Sequence, residues 1–383
     1  MTDVCIISAK RTPFGRFLGA LSRLSAVDLA VHAGEAALEG LPRNAIDQVI
    51  VGNVLSAGLG MNIARQIGVR LQLPMSTPAY SVNMMCGSGM QAVILAMQAI
   101  QSGAANVVLC GGTESMSNAP HILPRSRTGT KFGDGKLVDT ILCDGLLDAF
   151  DGQHMANTAE RLATRYSISR QQQDEYAALS QQRCAEAAKH EVFADELAPL
   201  EGLQCDEHPR PETSVRELAA LKPAFTTDGT ITAGNASGIN DGACMLVLAS
   251  CEAASSNGWR IMADIHAAEV VGCDPAEMGL GPVHAIRELC RKHSMTLEHF
   301  DTIEINEAFA AQTLACISEL GLTTEQVNQC GGAIALGHPI GASGARLVTH
   351  LAHRISTLKK STCLASLCIG GGMGAAIALD PIY

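Results

Sequence analysis

The sequence of 383 residues has few aromatic residues, a shortage of basic residues and no long apolar runs. Phe, Trp and Tyr together make up 3% of the chain, so aliphatic and small side chains must fill its core. The 27 Lys and Arg are outnumbered by 38 Asp and Glu, and a net charge of −11 argues against general binding to nucleic acid or acidic membranes. No apolar run reaches the roughly 20 residues of a membrane-spanning helix. We therefore expect a globular protein with neither nucleic acid nor membrane as a partner.

The 14 cysteines lack the spacings of metal sites. There is no C-x-x-C pair and no Cys/His spacing of the zinc-finger type, so the sequence predicts no metal site. A chain of this size does not need disulfide bonds, and reduced thiols indicate a cytoplasmic location. The N-terminus runs directly into the strand-like residues 4–9 rather than a targeting peptide, and the C-terminal P-I-Y is not a peroxisomal signal. No G-x-G-x-x-G follows a first strand and no Walker sequence occurs, which excludes nucleotide-cofactor chemistry.

Short apolar runs alternate with helical stretches along the chain, which predicts an α/β protein with parallel strands and covering helices. The length indicates two or three domains, or two halves that share a sheet. The clearest predicted strands are residues 4–9, 49–53, 79–82, 106–110 and 362–367. The clearest predicted helices are residues 26–40, 91–100, 283–293, 307–320 and 345–354.

One layout occurs twice. The C-G-S-G turn at 86–89 precedes a helix, the strand 107–110 and two glycines, and the I-G-A-S-G turn at 340–344 precedes a helix, the strand 364–367 and three glycines. Two halves of like topology would place Cys86 and His338 in equivalent loops that face one central site. Between them, residues 118–240 are rich in Gln and charge, and we interpret them as a largely helical insertion.

Three glycine-rich turns, at 83–89, 337–341 and 368–372, hold a cysteine, a histidine and a second cysteine. Cys86 is predicted at a helix N-terminus, where unpaired N–H groups favour the nucleophilic thiolate. The glycines beside it let a substrate approach and expose backbone donors for an oxyanion. A single cysteine in such a turn is more often a small buried hydrophobe. The three turns together predict acyl transfer through a cysteine thioester.

The whole chain resembles the thiolase family of acetyl-CoA C-acyltransferases. Besides the Cys86 turn, the motifs that carry the resemblance are R-T-P-F-G at 11–15, G-N-V-L at 52–55, G-G-T-E-S-M-S at 111–117, T-A-G-N-A-S-G at 232–238, N-E-A-F-A at 306–310, G-H-P at 337–339 and C-I-G-G-G-M-G at 368–374. Related condensing enzymes would show Cys-His-His or Cys-Glu-His where this chain offers Cys-His-Cys.

The resemblance implies the thiolase fold: two similar βαβαβαββ halves with five-stranded mixed sheets in α/β/α/β/α layers, plus an inserted, mainly helical loop domain. The domains predicted in this way are an N-terminal half of residues 1–117 with 241–262, the insertion at 118–240 and a C-terminal half at 263–383.

The resemblance also implies the catalytic roles. Cys86 would be the nucleophile, His338 would activate it and contribute to an oxyanion hole, and Cys368 would be the general acid and base. Asn306 would hold a water molecule in an oxyanion hole, and the backbone N–H of Gly370 would stabilise the tetrahedral intermediate. From the residues alone, Asn306 is equally suited to cap a helix that begins at Glu307.

The residues that the resemblance places at the acyl group or coenzyme A are His154, Met155, Arg210, Phe225, Ser237, Met278 and Ala308. In biosynthetic short-chain thiolases the matching methionines close the acyl pocket, which leaves little room for a long chain. Core filling is the alternative for both methionines, and a solvated surface charge is the alternative for Arg210. Ala156 and Asn157 replace the Gly-Thr usual after this His-Met pair, so the acyl-chain length stays open.

The predicted function is therefore acetyl-CoA C-acetyltransferase, the reversible Claisen condensation of two acetyl-CoA to acetoacetyl-CoA and CoA through acetyl-Cys86. CoA and acetyl-CoA would be substrates, with no tightly bound cofactor. The alternatives are a 3-ketoacyl-CoA thiolase of broader chain length in β-oxidation and a non-catalytic, thiolase-like lipid-binding protein. The basic segment Arg125–Lys136 resembles a tetramerisation loop and implies a homotetramer, although a solvated loop is the simpler interpretation of its charges.

Overall fold

A mixed sheet passes through both halves of the molecule in the computed structural model, which describes residues 2–358 and 361–382. The strands are β1 (Val4–Arg11), β2 (Gly15–Arg16), β3 (Gln48–Gly52), β4 (Ala79–Val82), β5 (Val107–Ser115), β6 (His121–Ile122), β7 (Val138–Asp139), β8 (Asn240–Ser250), β9 (Ala263–Gly272), β10 (Thr302–Ile305), β11 (Cys363–Ile369) and β12 (Met373–Asp380).

The α-helices are α1 (Ala26–Ala37), α2 (Ile63–Arg70), α3 (Ser88–Gln101), α4 (Ala156–Arg165), α5 (Arg170–Lys189), α6 (Val215–Ala219), α7 (Cys251–Asn257), α8 (Gly281–His293), α9 (Ala310–Leu320), α10 (Ala333–Leu336) and α11 (Ile340–Leu358). A π-helical turn spans Ile141–Leu146, and short 3₁₀ turns complete the helical elements.

The two halves have matching strand orders. The N-terminal half runs β4-β3-β5-β8-β1 and the C-terminal half runs β10-β11-β12-β9, each with parallel pairs at one end and antiparallel pairs at the other. Five strands form the main order of the first sheet, as expected, and the short β2 adds an antiparallel pairing with β8. In the second, the place of the fifth strand is taken by a single parallel bridge between Ile303 and Val327. The sheets meet edge to edge through two residue pairs of β1 and β9, Cys5 with Asp264 and Ile6 with Ala263.

Helices cover and separate the two sheets in the expected α/β/α/β/α layers. Helices α1 and α2 pack on the outer face of the first sheet, and α8 and α9 pack on the outer face of the second. Between the sheets lie α3 and α11, whose side chains are buried together with the inner faces of both. Small side chains at the contact between α3 and α11 allow the two backbones to approach each other closely.

Glycines mark the contact between α3 and α11. A Cβ on Gly89 would lie 2.8 Å from the carbonyl oxygen of Gly341, and a Cβ on Gly344 would lie 2.6 Å from the backbone nitrogen of Met90. Real side chains do not tolerate such distances. The first turns of the two helices, which follow Cys86 and His338, are therefore in direct backbone contact.

The insertion between β5 and β8 contains α4, α5 and α6, the π-helical turn and the small β6–β7 ribbon. A buried ion pair fixes it to the first strand: the Arg11 guanidinium donates to Glu196 at 2.7 Å and to Asp206 at 2.6 Å. Both carboxylates belong to the insertion. The exact domain boundaries at 117/118, 240/241 and 262/263 stay a prediction.

The predicted elements occur where expected, with shifted ends. Helix 345–354 is longer at both ends, and the helix predicted to start at Glu307 starts at Ala310 after the extended Phe309. The interpretation of Asn306 as the cap of that helix is therefore wrong. Among the described residues, no helix has both the length and the apolar character needed to cross a membrane.

Candidate active site

A cavity of about 280 Å³ lies where the two halves and the insertion meet. Nine of the predicted site residues line it: Cys86, His154, Met155, Phe225, Ser237, Met278, Ala308, His338 and Cys368. The remaining walls are mainly apolar and include Leu142 and Leu146 of the π-helical turn. The structure thus brings together residues that are up to 282 positions apart in the sequence, from Cys86 to Cys368.

Cys86 lies in a tight turn between β4 and α3. The preceding residue, Met85, has a positive φ of 47°, and the Ser88 hydroxyl closes the turn by accepting from the N–H of Met84 at 2.8 Å and donating to the Met85 carbonyl at 2.6 Å. Gly87 is the N-cap of α3. The predicted position at a helix N-terminus is thus confirmed.

The predicted preference of Cys86 for the thiolate is wrong for the free enzyme. Burial raises the pKa of the Cys86 thiol to about 11, although the backbone N–H groups of Gly370 and of Cys86 itself lower it. Removal from water disfavours the charged form more than two backbone donors favour it. At neutral pH Cys86 is therefore a thiol, and a nucleophilic role for its sulfur would need a base.

His338 can supply that base. Its Nδ1 is 2.6 Å from the Ser343 hydroxyl oxygen, and this hydroxyl donates to the Pro339 carbonyl at 2.9 Å. Because the hydroxyl has one proton, it must accept from Nδ1–H, and Nε2 then carries the free lone pair. Burial lowers the pKa of His338 to about 4, so the ring is neutral. Within residues 2–358 and 361–382, the buried Nε2 has no hydrogen-bond partner.

Cys368 is the second-to-last residue of β11 and is buried. Its pKa is raised well above that of an ordinary thiol, first by burial and then by the nearby Cys86. The residues after it must be glycine: a Cβ on Gly370 would overlap the Met155 side chain, and Gly371 and Gly372 have φ values of 87° and 84°. Both Cys368 and Cys86 line the cavity. The second thiol therefore faces the same space as the first.

Asn306 does not line the cavity, but both polar atoms of its side chain are buried and unpaired within the described part of the chain. Buried amides normally have partners, so this side chain is available to a ligand or a water molecule. The backbone of Gly370 does not line the cavity either and instead donates toward Cys86.

Two buried carboxylates that we did not predict hold the loops of the site. Glu307 accepts from the Tyr176 hydroxyl at 2.9 Å, from the Ser180 hydroxyl at 2.7 Å and from the Asn328 amide at 3.0 Å, and so fixes the turn after Asn306. It is the glutamate of the N-E-A-F-A motif. A charged residue among apolar neighbours was the signal that could have found it.

The second carboxylate, Glu114, connects the two halves. It accepts from the backbone N–H of Val54 at 3.0 Å, of Leu55 at 3.1 Å and of Gly341 at 2.9 Å, and from the Asn53 amide at 2.7 Å. Gly341 belongs to the turn that carries His338, whereas the other donors belong to the N-terminal half. Ser343 lies in the repeated I-G-A-S-G turn at 340–344, and the sequence alone does not indicate its contact with His338.

The predicted coenzyme residues divide into two groups. His154 and Phe225 stack with ring centroids 4.4 Å apart, and the N–H of Ser237 donates to the Ala308 carbonyl at 3.0 Å, so these four residues form two contacting pairs in the cavity wall. Burial lowers the pKa of His154 and keeps its ring neutral. Arg210 instead lines a separate cleft beside α6, and its contact with coenzyme A stays a prediction.

The sequence and the fold both match known proteins over their full length. Residues 4–252 match the model "Thiolase, N-terminal domain" and residues 259–381 match "Thiolase, C-terminal domain". The chain is 46% identical to an acetyl-CoA acetyltransferase of Chromobacterium violaceum, over 99% of both chains. It is 44% identical to a mitochondrial 3-ketoacyl-CoA thiolase of Rattus norvegicus, over 99% of this chain and 98% of that protein.

Solved structures show the same architecture. The crystal structure of human mitochondrial 3-ketoacyl-CoA thiolase in complex with CoA superimposes with a TM-score of 0.97 at 43% identity, over 100% of this chain and 98% of that chain. The layered fold predicted from the motifs is thereby confirmed. On the family models, the identity and the fold together, the chain belongs to the thiolase family.

Proposed function

We propose that this thiolase is a short-chain acetyl-CoA C-acetyltransferase that interconverts two acetyl-CoA with acetoacetyl-CoA and CoA. The observation that carries the proposal is the small apolar cavity in which Cys86, His338 and Cys368 meet, with Met155 and Met278 in its wall. Coenzyme A and its acyl thioesters are the substrates in this proposal, and no tightly bound cofactor is required.

In the first half-reaction, Cys86 attacks the thioester carbonyl of one acetyl-CoA while its proton passes to Nε2 of His338. The backbone N–H groups of Cys86 and Gly370 stabilise the oxyanion. The C–S bond to coenzyme A then breaks, and the leaving thiolate takes the proton of Cys368. This step leaves acetyl-Cys86, protonated His338 and the Cys368 thiolate, with free CoA released.

In the second half-reaction, the Cys368 thiolate removes a proton from the methyl group of a second acetyl-CoA. Its raised pKa suits this task, because a thiol with a high pKa yields a strongly basic thiolate. His338 and a water molecule held by Asn306 stabilise the enolate oxygen. The enolate carbon attacks acetyl-Cys86, the thioester bond breaks, and the Cys86 sulfur regains its proton from His338. All groups return to their starting states.

A second candidate is a 3-ketoacyl-CoA thiolase that accepts longer chains. One feature favours it: Leu142 in the π-helical wall of the cavity is 42% exposed, so this wall borders solvent and offers a longer chain an exit. The names of similar proteins do not separate the two activities, since acetyl-CoA acetyltransferases and a 3-ketoacyl-CoA thiolase are almost equally identical to this chain. A non-catalytic lipid-binding role is disfavoured because Cys86, His338, Cys368 and Asn306 are all present.

The deciding experiment is CoA-dependent thiolysis of acetoacetyl-CoA beside 3-ketohexanoyl-CoA and 3-ketodecanoyl-CoA. We expect a kcat/KM for the C4 substrate at least ten times that for the C10 substrate. Equal or higher activity on the longer substrates would assign the protein to the broad-chain class, and no turnover on any substrate would support the lipid-binding role. Cys86→Ala serves as the inactive control, and Met155→Gly tests whether the methionine limits chain length.

We also propose a cytoplasmic homotetramer. The segment Arg125–Lys136 is exposed throughout and presents Phe132 with 99% of its surface accessible, followed by the exposed Leu137. A large apolar side chain this exposed on a basic loop suits a contact between subunits. Light scattering of Phe132→Ser beside the unchanged protein tests this role, with a tetramer expected for the unchanged protein and a dimer for the variant.

A further inference from the structure

The seam between the two sheets brings together two thiols and a carboxylate from three distant segments. Cys5 lies in β1, Cys251 is the first residue of α7, and Asp264 lies in β9. Their ligand atoms all lie within 4.8 Å of one another. None of the three lines the catalytic cavity.

The backbone fixes this arrangement. Cys5 and Asp264 are direct partners in the β1–β9 pairing, so their side chains project from the same face. The N–H of Cys251 donates to the Asp3 carbonyl at 3.0 Å, and this bond holds the start of α7 against β1. The Sγ of Cys251 then lies 3.6 Å from a carboxylate oxygen of Asp264.

These separations are close to those of a zinc site. With Zn–S bonds of about 2.3 Å and Zn–O bonds of about 2.1 Å, tetrahedral ligand atoms lie roughly 3.5–4 Å apart. A contraction of less than about 1 Å therefore brings the three groups onto one ion. Two thiols and one carboxylate are also a donor set that suits zinc rather than magnesium or calcium.

The cluster lacks a cationic partner. Neither Asp264 nor the adjacent Asp3 forms an ion pair with a Lys, Arg or His of the described chain. Burial raises the pKa of Cys5, Cys251 and Asp264. The Asp264 carboxylate raises the pKa of both thiols further, and the carboxylates of Asp3 and Asp380 raise that of Asp264, although a hydrogen bond with Cys251 lowers it. A bound divalent cation would lower these pKa values, because it stabilises the deprotonated form of each group.

An ion has a route to the cluster. A solvent-open cavity of about 600 Å³ borders Asp264 and is also lined by Asp3, Glu269 and Asp380. Of these carboxylates, Asp380 pairs with His266 and Glu269 pairs with Lys292, which leaves Asp3 and Asp264 to attract a cation. The cavity leaves room for a water molecule at the fourth tetrahedral position.

We propose that Cys5, Cys251 and Asp264 form a structural site for Zn²⁺ at the junction of the two halves. Binding converts both thiols to thiolates and releases two protons to solvent, while Asp264 binds as the carboxylate. The ion then links β1, α7 and β9 where only two residue pairs join the sheets. Spacing along the chain could not indicate this site, since its ligands come from positions 5, 251 and 264.

The test is Zn²⁺ titration of the reduced, metal-free protein against a chromophoric chelator. Other thiols, Cys86 and Cys368 included, also bind zinc weakly, so the readout is a difference between variants. We expect Cys251→Ser and Asp264→Asn each to bind one zinc fewer per chain than the unchanged protein. Cys290→Ser is the matched control, because this thiol is also half-buried with a single carboxylate, Glu298, nearby, and it should lose none.

Two further readouts do not depend on activity. Cd²⁺ should give a thiolate charge-transfer band that is lost in Cys251→Ser, and zinc at 100 times its dissociation constant should raise the melting temperature by about 3 °C in the unchanged protein only. Equal zinc stoichiometry in the unchanged protein and Cys251→Ser would overturn the proposal. So would a disulfide between Cys5 and Cys251 that persists in the reduced protein used for titration. Thiolase turnover should be the same in all these variants.

Discussion

The two halves of the molecule place chemically opposite groups in equivalent turns. The N-terminal turn carries the Cys86 thiol, whose pKa burial raises to about 11, and the C-terminal turn carries the His338 imidazole, whose pKa burial lowers to about 4. The same physical cause, exclusion of water, keeps an acid protonated and a base unprotonated. The pair is therefore neutral at rest, and in the proposed mechanism charges separate only when a substrate is present.

The largest expected effect separates the two thiols. Cys86→Ala should abolish both half-reactions, with a loss of at least about 10⁴-fold in turnover, because no nucleophile remains. Cys368→Ala should still allow acetylation of Cys86 by acetyl-CoA, but more slowly, because the leaving CoA thiolate has lost its proton donor. Condensation should fall by about 10²–10⁴-fold, because the base that forms the enolate is gone. Mass spectrometry of the acetylated protein checks the difference. Equal acetylation of the two variants, or none in Cys368→Ala, would contradict the assignment.

The next effect tests how the C-terminal turn prepares its imidazole. Ser343→Ala removes the hydroxyl that accepts from Nδ1–H of His338. The tautomer with a free lone pair on Nε2 is then no longer favoured. We expect kcat to fall about tenfold, the equivalent of one hydrogen bond of about 1.4 kcal/mol, with KM nearly unchanged. Ser343→Thr keeps the hydroxyl and should recover most of the activity. If Thr and Ala variants are equally slow, the effect is packing rather than orientation of the ring.

A smaller effect concerns the contact between the two turns. Gly89→Ala places a methyl group against the Gly341 carbonyl, and we expect a loss of about 1–3 kcal/mol in the free energy of unfolding from overpacking. Ala104→Gly, at an exposed position just after α3, should change stability little. Chemical denaturation of the three proteins measures the difference.

The smallest expected effect concerns the rate of Cys86 acetylation, which should not depend on pH near neutrality. His338 stays neutral above its pKa of about 4, and Cys86 stays protonated below about 11, so the reactive pair is fully populated across neutral pH. The rate of Cys86 acetylation should therefore be flat between about pH 6 and pH 9, whereas alkylation of the free enzyme by iodoacetamide should rise about tenfold per pH unit, because it follows the thiolate fraction. An acetylation rate with an inflection near pH 6.5 would contradict a buried, neutral His338.

Local sequence predicted much of the fold, because its signals are local. Glycine-rich turns and apolar runs placed the strands and helices around Cys86, His338 and Cys368 close to their observed positions. The start of α9 was predicted three residues too early, at Glu307 rather than Ala310, because Glu307 is held by Tyr176, Ser180 and Asn328, contacts made across the fold. Such contacts leave no periodic pattern near Asn306.

The protonation states of the site residues were harder to predict than which residues form the site. A helix N-terminus is visible in the sequence, but the depth at which Cys86 is buried is not, and burial decided the direction of its pKa shift. In the same way, the acceptor of His338 Nδ1 depends on a turn geometry that brings Ser343 back over Pro339. Sequence motifs indicate which side chains form the site, whereas the protonation state of each side chain depends on how it is packed.

The backbone contact between α3 and α11 has a consequence for how the site responds to heat. Side chains between packed helices normally act as a soft layer whose thickness varies with rotamer changes. Here the glycines at 89 and 344 leave no such layer. The spacing of sulfur and imidazole is therefore set by nearly incompressible main chain, and the geometry of acyl transfer should persist up to temperatures at which the outer helices have already begun to loosen.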